Sequence, residues 1–319
     1  MLRGLRACLP EFSRPGPPGL RPSNFVGMID RGPTLRFQHP DDMRARLARV
    51  LARLDAHGLK VPPGSRVARF MALSERFAAK QLGPAGLGSL REVNELVEAN
   101  RDFAEFATIV EHLLPERPLA DPMLLEKLEH VLGGAPLPGE DANALARSMQ
   151  FELYVAALCA RSGLSPQFLE PDCIVTAGKT RLGIAAKRAV GPNLRRLVKN
   201  GAGQLRKAGL VGVVALSLDR LFAPNDQRIA ADSPEGLKPA ASEIVLETMR
   251  PHLKALDRDA AGSPALAVLG FVVACAVVPR ANSIGRVESV FLHALRSLTE
   301  EQAGALMDLH DRLGRSSAL

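Results

Sequence analysis

At 319 residues the chain exceeds the usual size of one compact domain, and its 46% hydrophobic content excludes general disorder. Forty-one Lys and Arg against 34 Asp and Glu leave a formal charge of +7, which favours polyanionic partners such as nucleic acid. One Tyr and no Trp argue against an aromatic platform for stacking single-stranded bases.

The first forty residues carry Arg3, Arg6, Arg14 and Arg21 among several prolines, with Glu11 as the only acid before Asp30. No apolar central region of a secretory signal is present, and the prolines spoil an amphipathic helix. Residues 1–40 are therefore expected to be a disordered basic tail.

Asp41 is placed to cap a helix that carries Met43, Leu47, Val50, Leu51 and Leu54 on one face, ended by Gly58 and Pro62-Pro63. Helical spacing continues over residues 65–81, 89–114 and 122–132. No strand-like alternation interrupts these segments, so residues 41–133 are expected to form an all-helical accessory region. The run Gly133-Gly134-Ala135-Pro136-Leu137-Pro138-Gly139 is the clearest loop and a natural boundary.

Beyond it the pattern becomes α/β. A helix over 141–161 precedes short β-like segments at 167–169, 172–176 and 182–189. Then come a helix over 192–208 with Pro192 in its first turn, a strand at 211–218 and a helix at 241–256. The apolar run Ala265 to Val278 is shorter than the roughly 20 residues of a membrane-spanning helix, and reads as a buried strand. Thr299 caps a last helix ending near residue 313. Residues 141–319 are thus expected to be an α/β domain with a mixed sheet, in a chain without membrane association. Cys8, Cys159, Cys173 and Cys275 are scattered and form no CxxC pair, as in reduced proteins of the cytoplasm.

The interval between Asp172 and Asp219 contains no acidic residue and nine basic ones. Side chains alternate along a strand, so Gly183, Ala185 and Lys187 share one face while Ile184 and Ala186 take the other. If residues 172–176 and 182–189 form a hairpin around Ala177-Gly178-Lys179-Thr180, Asp172 and Lys187 come to the same side. A carboxylate can hold Mg²⁺ with waters and phosphate oxygens completing its octahedron, and a nearby ammonium can orient water or hold phosphate. The helix over 192–208 carries Leu194, Leu197, Val198, Gly201, Leu205 and Ala208 at helical spacing. That leaves Arg195, Arg196, Lys199, Arg206 and Lys207 on exposed flanks, suited to a phosphate backbone and carrying no base information.

Glu152 in the leading helix, Pro171-Asp172, and Gly183-Ile184-Ala185-Ala186-Lys187-Arg188 together resemble the PD-(D/E)XK, or restriction-endonuclease-like, nuclease superfamily. The order helix, strands, lysine strand, basic helix, strand agrees, over roughly residues 143–218. The resemblance implies a restriction-endonuclease-like mixed sheet flanked by helices and a metal-dependent nuclease acting on DNA or RNA. It assigns Asp172 and Glu152 to Mg²⁺ or Mn²⁺, and Lys187 to catalysis. Gln204 looks like the glutamine that some members place on the helix after the lysine, and Arg188 joins the basic residues expected to bind nucleic acid. The chain departs from the pattern at Ala185, which stands where the family has an acid two positions before the lysine. Glu152, or else Glu170, then has to supply the second carboxylate. Ala185 equally supports a degenerate member that binds nucleic acid or a protein partner without cutting, and a homo-oligomer is also left open.

Other catalytic patterns fail. Ala177-Gly178-Lys179-Thr180 has the end of a P-loop, but Cys173 stands where its first glycine is required. Gly201-Ala202-Gly203 lies inside a helical pattern, and no HExxH or GxSxG occurs.

Overall fold

A computed structural model describes residues 28–30, 34–38, 40–79, 90–116, 121–141, 143–191, 193–222, 243, 247, 249–253, 255–257, 262–278 and 283–316. The N-terminal helices are α1 (Pro40–Ala56), α2 (Arg66–Ala78), α3 (Leu90–Leu113) and α4 (Pro122–Leu132). Helix α1 begins two residues earlier than expected, so Asp41 lies with Asp42 in its first turn rather than at the cap. There both carboxylates complement the helix dipole. Asp121 caps α4 by accepting the Met123 N–H at 2.9 Å.

The α/β part contains α5 (Leu145–Arg161), the strands β3 (Cys173–Ala177) and β4 (Thr180–Arg188), α6 (Leu194–Lys207), β5 (Gly212–Ser217) and the short α7 (Asp219–Phe222). Strands β6 (Ala265–Val278) and β7 (Ser283–Ala294) and the terminal α8 (Glu300–Ser316) follow. The described residues between 243 and 257 are helical, in line with the expected helix there. Thr299 and Gln302 satisfy each other's backbone N–H at 3.3 Å, a capping box that starts α8.

The sheet is mixed. Gly178, at φ +59, makes the turn that folds β3 antiparallel onto β4; β4, β5 and β6 run parallel, and β7 returns antiparallel to β6. Strand β7 goes unnoticed in the sequence because Arg286, Glu288 and His293 interrupt its apolar pattern. Its far edge is covered by β1 (Met28–Asp30) and β2 (Thr34–Gln38), which pair with successive stretches of β7. The expected tail is thus corrected over its last third. Unpaired N–H and C=O groups on the edge of β7 take up these two short segments. Residues 1–27 lie outside the described residues.

Alternation along the strands divides the apolar side chains between two layers of helix. Ile184, Val213, Ala215 and Leu269 join a core with α3, α5 and α8, whereas Val214, Leu216 and Val268 face α6 with Met249 and Leu256. The first core also contains Leu47, Phe70, Leu128 and Val131, so packing continues across the loop at 133–139. Every residue of α3 from 101 to 110 is buried, which makes it a central helix of the whole structure. No helix among the described residues is long and apolar enough to cross a membrane.

Candidate active site

Two backbone features place Asp172. It stands at the entry to β3, opposite the end of β4, and its side chain turns back to accept the Ala186 N–H at 2.8 Å through Oδ2. Pro171 before it packs over Gly183, where an added Cβ would stand 3.1 Å from the proline ring and 2.6 Å from Leu205. A side chain at 183 would therefore push Leu205 aside and press on the Pro-Asp step. From β4, Lys187 donates from Nζ to Asp172 Oδ2 at 3.0 Å and to the Ala186 carbonyl at 2.9 Å.

Helix α6 supplies the next contact. Gln204 donates from Nε2 to the Pro171 carbonyl at 3.0 Å and lies 3.4 Å from Asp172 Oδ1. Its Oε1 is buried without a hydrogen-bond partner among the described residues, an acceptor left open beside the carboxylate. Glu152, on α5, is close enough for its charge to act on Asp172. Burial first, and Glu152 second, push the Asp172 carboxyl up to about 6, against the opposing pull of Lys187. Asp172, Lys187 and Gln204 therefore meet, and Glu152 bears on them through its charge. Glu170, the other candidate for a second carboxylate, is exposed.

A fifth residue has no counterpart among the sequence expectations. Lys127, on α4, pairs with Glu152 Oε2 at 3.1 Å, with side-chain exposures of 21% and 19%. Its charge also reaches Cys173, whose thiol burial nonetheless pushes up to about 12. A lone lysine in an amphipathic helix gives no local signal; only the packing of α4 against α5 brings it here. The centre thus holds two carboxylates, each engaged by one ammonium group.

Position 185 is closed. Ala185 is fully buried under α6, where a Cβ on Gly201 would stand 3.2 Å from the alanine methyl and 2.9 Å from Val214. Close packing of helix on sheet, not an open gap, thus surrounds the position where the resemblance would put an acid.

Arg188 corrects the expected nucleic-acid surface. It points to the face opposite Lys187, is buried, and pairs with Glu105 at 2.7 Å while lying 5.7 Å from the centre of the Phe151 ring. Gln150 donates to the same Glu105 oxygen at 2.6 Å. Adjacent strand residues face opposite ways, so alternation from Lys187 could have placed Arg188 inward. The pair belongs to a wider internal lattice in which Asp102 accepts from Arg66 at 3.1 Å and from Arg147, and Arg147 reaches Asp141 at 2.6 Å. Burial resists the ionisation of Asp102, but Arg147, Arg66, Arg101 and Arg188 outweigh it and hold the carboxyl below its usual range.

The remaining basic residues lie where expected. Asn193 caps α6 by accepting the Arg196 N–H at 3.2 Å, and Arg195, Arg196, Lys199, Arg206 and Lys207 are exposed. Lys207, three residues after Gln204, shares its side of the helix. Arg195 and Arg196 occupy the first turn, where the helix dipole favours negative charge, so an external anion there would be doubly welcome.

The donor set suits a hard divalent cation better than zinc. It offers carboxylate oxygens and an amide oxygen, with no imidazole, and the Cys173 thiol is held neutral. No group of three or more His, Cys, Asp and Glu side chains forms among the described residues. Mg²⁺ requires only one or two carboxylates when water and substrate supply its other ligands, so Asp172 and Glu152 fit it in number and kind. No family model, curated protein or solved structure matches the chain.

Proposed function

We propose that this is a restriction-endonuclease-like protein that hydrolyses phosphodiester bonds of DNA or RNA with Mg²⁺ or Mn²⁺. The observation that carries the reading is the meeting of Lys187 Nζ with Asp172 Oδ2 at 3.0 Å, with the Glu152 charge bearing on the same carboxyl. The succession α5, the β3–β4 hairpin, α6 and β5 supports it, since those elements present the three residues in the order that the resemblance requires. Asp172 and Glu152 would hold the cation, which would supply Lewis acidity and an activated water. Lys187 orients that water or the scissile phosphate, and Gln204 holds Asp172 in place. The exposed face of α6 binds the backbone on either side.

The test is cleavage of plasmid, linear duplex, single-stranded DNA and RNA by the purified full chain with Mg²⁺ or Mn²⁺. Cleavage that is lost in both Asp172→Ala and Lys187→Ala supports the reading. A second reading, a nuclease fold retained for binding nucleic acid without cleavage, is favoured by the closed position at Ala185 and by the ammonium group already on each carboxylate. It predicts that no substrate is cut. It also predicts that replacing Lys199 and Lys207 lowers the slope of log affinity against log salt by about one for each phosphate no longer neutralised.

A further inference from the structure

Lys127 lies outside the segment that resembles a nuclease, yet it touches the carboxylate that has to stand in for the acid missing at position 185. Glu152 Oε2 cannot keep this ammonium 3.1 Å away and also bind a divalent cation in the same place, because the two positive charges would repel across a partly buried site. The four charged groups sum to zero as they stand, since Asp172 faces Lys187 and Glu152 faces Lys127. Adding a divalent cation alone leaves an excess of two positive charges. Adding it together with a phosphodiester supplies negative charge for the displaced ammonium.

We propose that Lys127 couples cation binding to nucleic-acid binding: its ammonium leaves Glu152 for a phosphate oxygen of the substrate, so that the site loads metal tightly only when a polyanion is present. This rests on the metal-dependent reading given above and adds a residue from α4 to it. Helix α4 thereby has a part in the site rather than only in the core. Coupling of this kind is reciprocal, so metal must tighten nucleic-acid binding by the same factor.

The test is calorimetric titration of Mn²⁺ into the full chain, with and without a cleavage-resistant phosphorothioate DNA duplex, in the wild type and in Lys127→Met and Lys127→Gln. Two neutral replacements are used so that a fault in packing of one is recognised by its melting temperature. In the wild type the duplex is expected to tighten Mn²⁺ binding about tenfold or more, a common size of coupling between sites. Both variants are expected to bind Mn²⁺ more tightly than the wild type when no DNA is present, and to gain much less from the duplex. Equal Mn²⁺ affinities in wild type and variants, with equal gain from DNA, would overturn the role of Lys127 while leaving the metal site standing. Mn²⁺ binding absent from every protein, or unchanged by Asp172→Ala, would overturn the metal reading itself.

Discussion

Asp172 carries opposing demands. Its carboxyl is pushed up to about 6 by burial and by Glu152, so the folded protein holds that proton more tightly than the unfolded chain, where an aspartate titrates near 3.9. A raised folded value stabilises fully below the unfolded one and is lost as pH rises through the folded one. Stability should therefore fall between about pH 4 and pH 7, by at most about 3 kcal/mol for a shift of roughly two units. Asp172→Asn should abolish that fall, as measured by urea unfolding across the range. A wild-type curve that is flat or rises over this interval would contradict the assignment. Arg188, one position beyond Lys187, behaves differently. Arg188→Met strands a buried Glu105 charge and should cost about 3–5 kcal/mol while leaving the salt dependence of nucleic-acid binding unchanged. A stable variant with a reduced salt slope would return Arg188 to the binding surface.

Among the elements, the packing of β4 against α6 has most influence on the centre. Gly183 admits Pro171 and Leu205, and Gly201 admits Ala185 and Val214, so the helix lies close enough for Gln204 to reach the Pro-Asp step. Ala185→Glu, which introduces the acid that the resemblance would put there, should not create a metal ligand. The larger side chain has to enter a closed layer, and overpacking of that kind costs about 1–3 kcal/mol before the buried carboxylate is counted. A lowered melting temperature without tighter Mn²⁺ binding is expected; tighter binding would show that the site tolerates the acid. Much of this packing is legible in the sequence. Period-two spacing places Lys187 beside Ala185, and the apolar stripe of α6 places the basic residues outward. Two features are not. The inward turn of Arg188 follows from the same alternation, but Lys187-Arg188 reads locally as one basic pair, and Lys127 depends on the docking of α4, which no local pattern encodes.

For the whole molecule, the break in composition at 133–139 marks a change from helices to α/β but not a boundary in the core. Leu47, Phe70, Leu128 and Val131 share one apolar cluster with Phe151, Ile184 and Leu269, and α3 is buried along its middle by both parts. A chain beginning at residue 141 would expose that surface and lose Glu105 and Asp102, the partners of Arg188 and Arg147. It should fail to give a cooperative unfolding transition by circular dichroism; a sharp transition would show that the α/β part folds alone. The helices are readable through their spacing and β6 through its apolar run. Strand β7 and the two strands on its edge are not, because charged residues and surrounding Gly and Pro obscure segments whose pairing is decided by a distant strand.

The most direct test of the central claim is the single-turnover cleavage rate of a nucleic-acid substrate at saturating Mn²⁺ by the full chain and by Lys187→Ala. Loss of a group that moves or orients a proton in the reaction should lower the rate by about 10²–10⁴-fold with the melting temperature little changed. Cleavage at an equal rate in the variant, or no metal-dependent cleavage by the wild type on any duplex or single strand, would contradict the account.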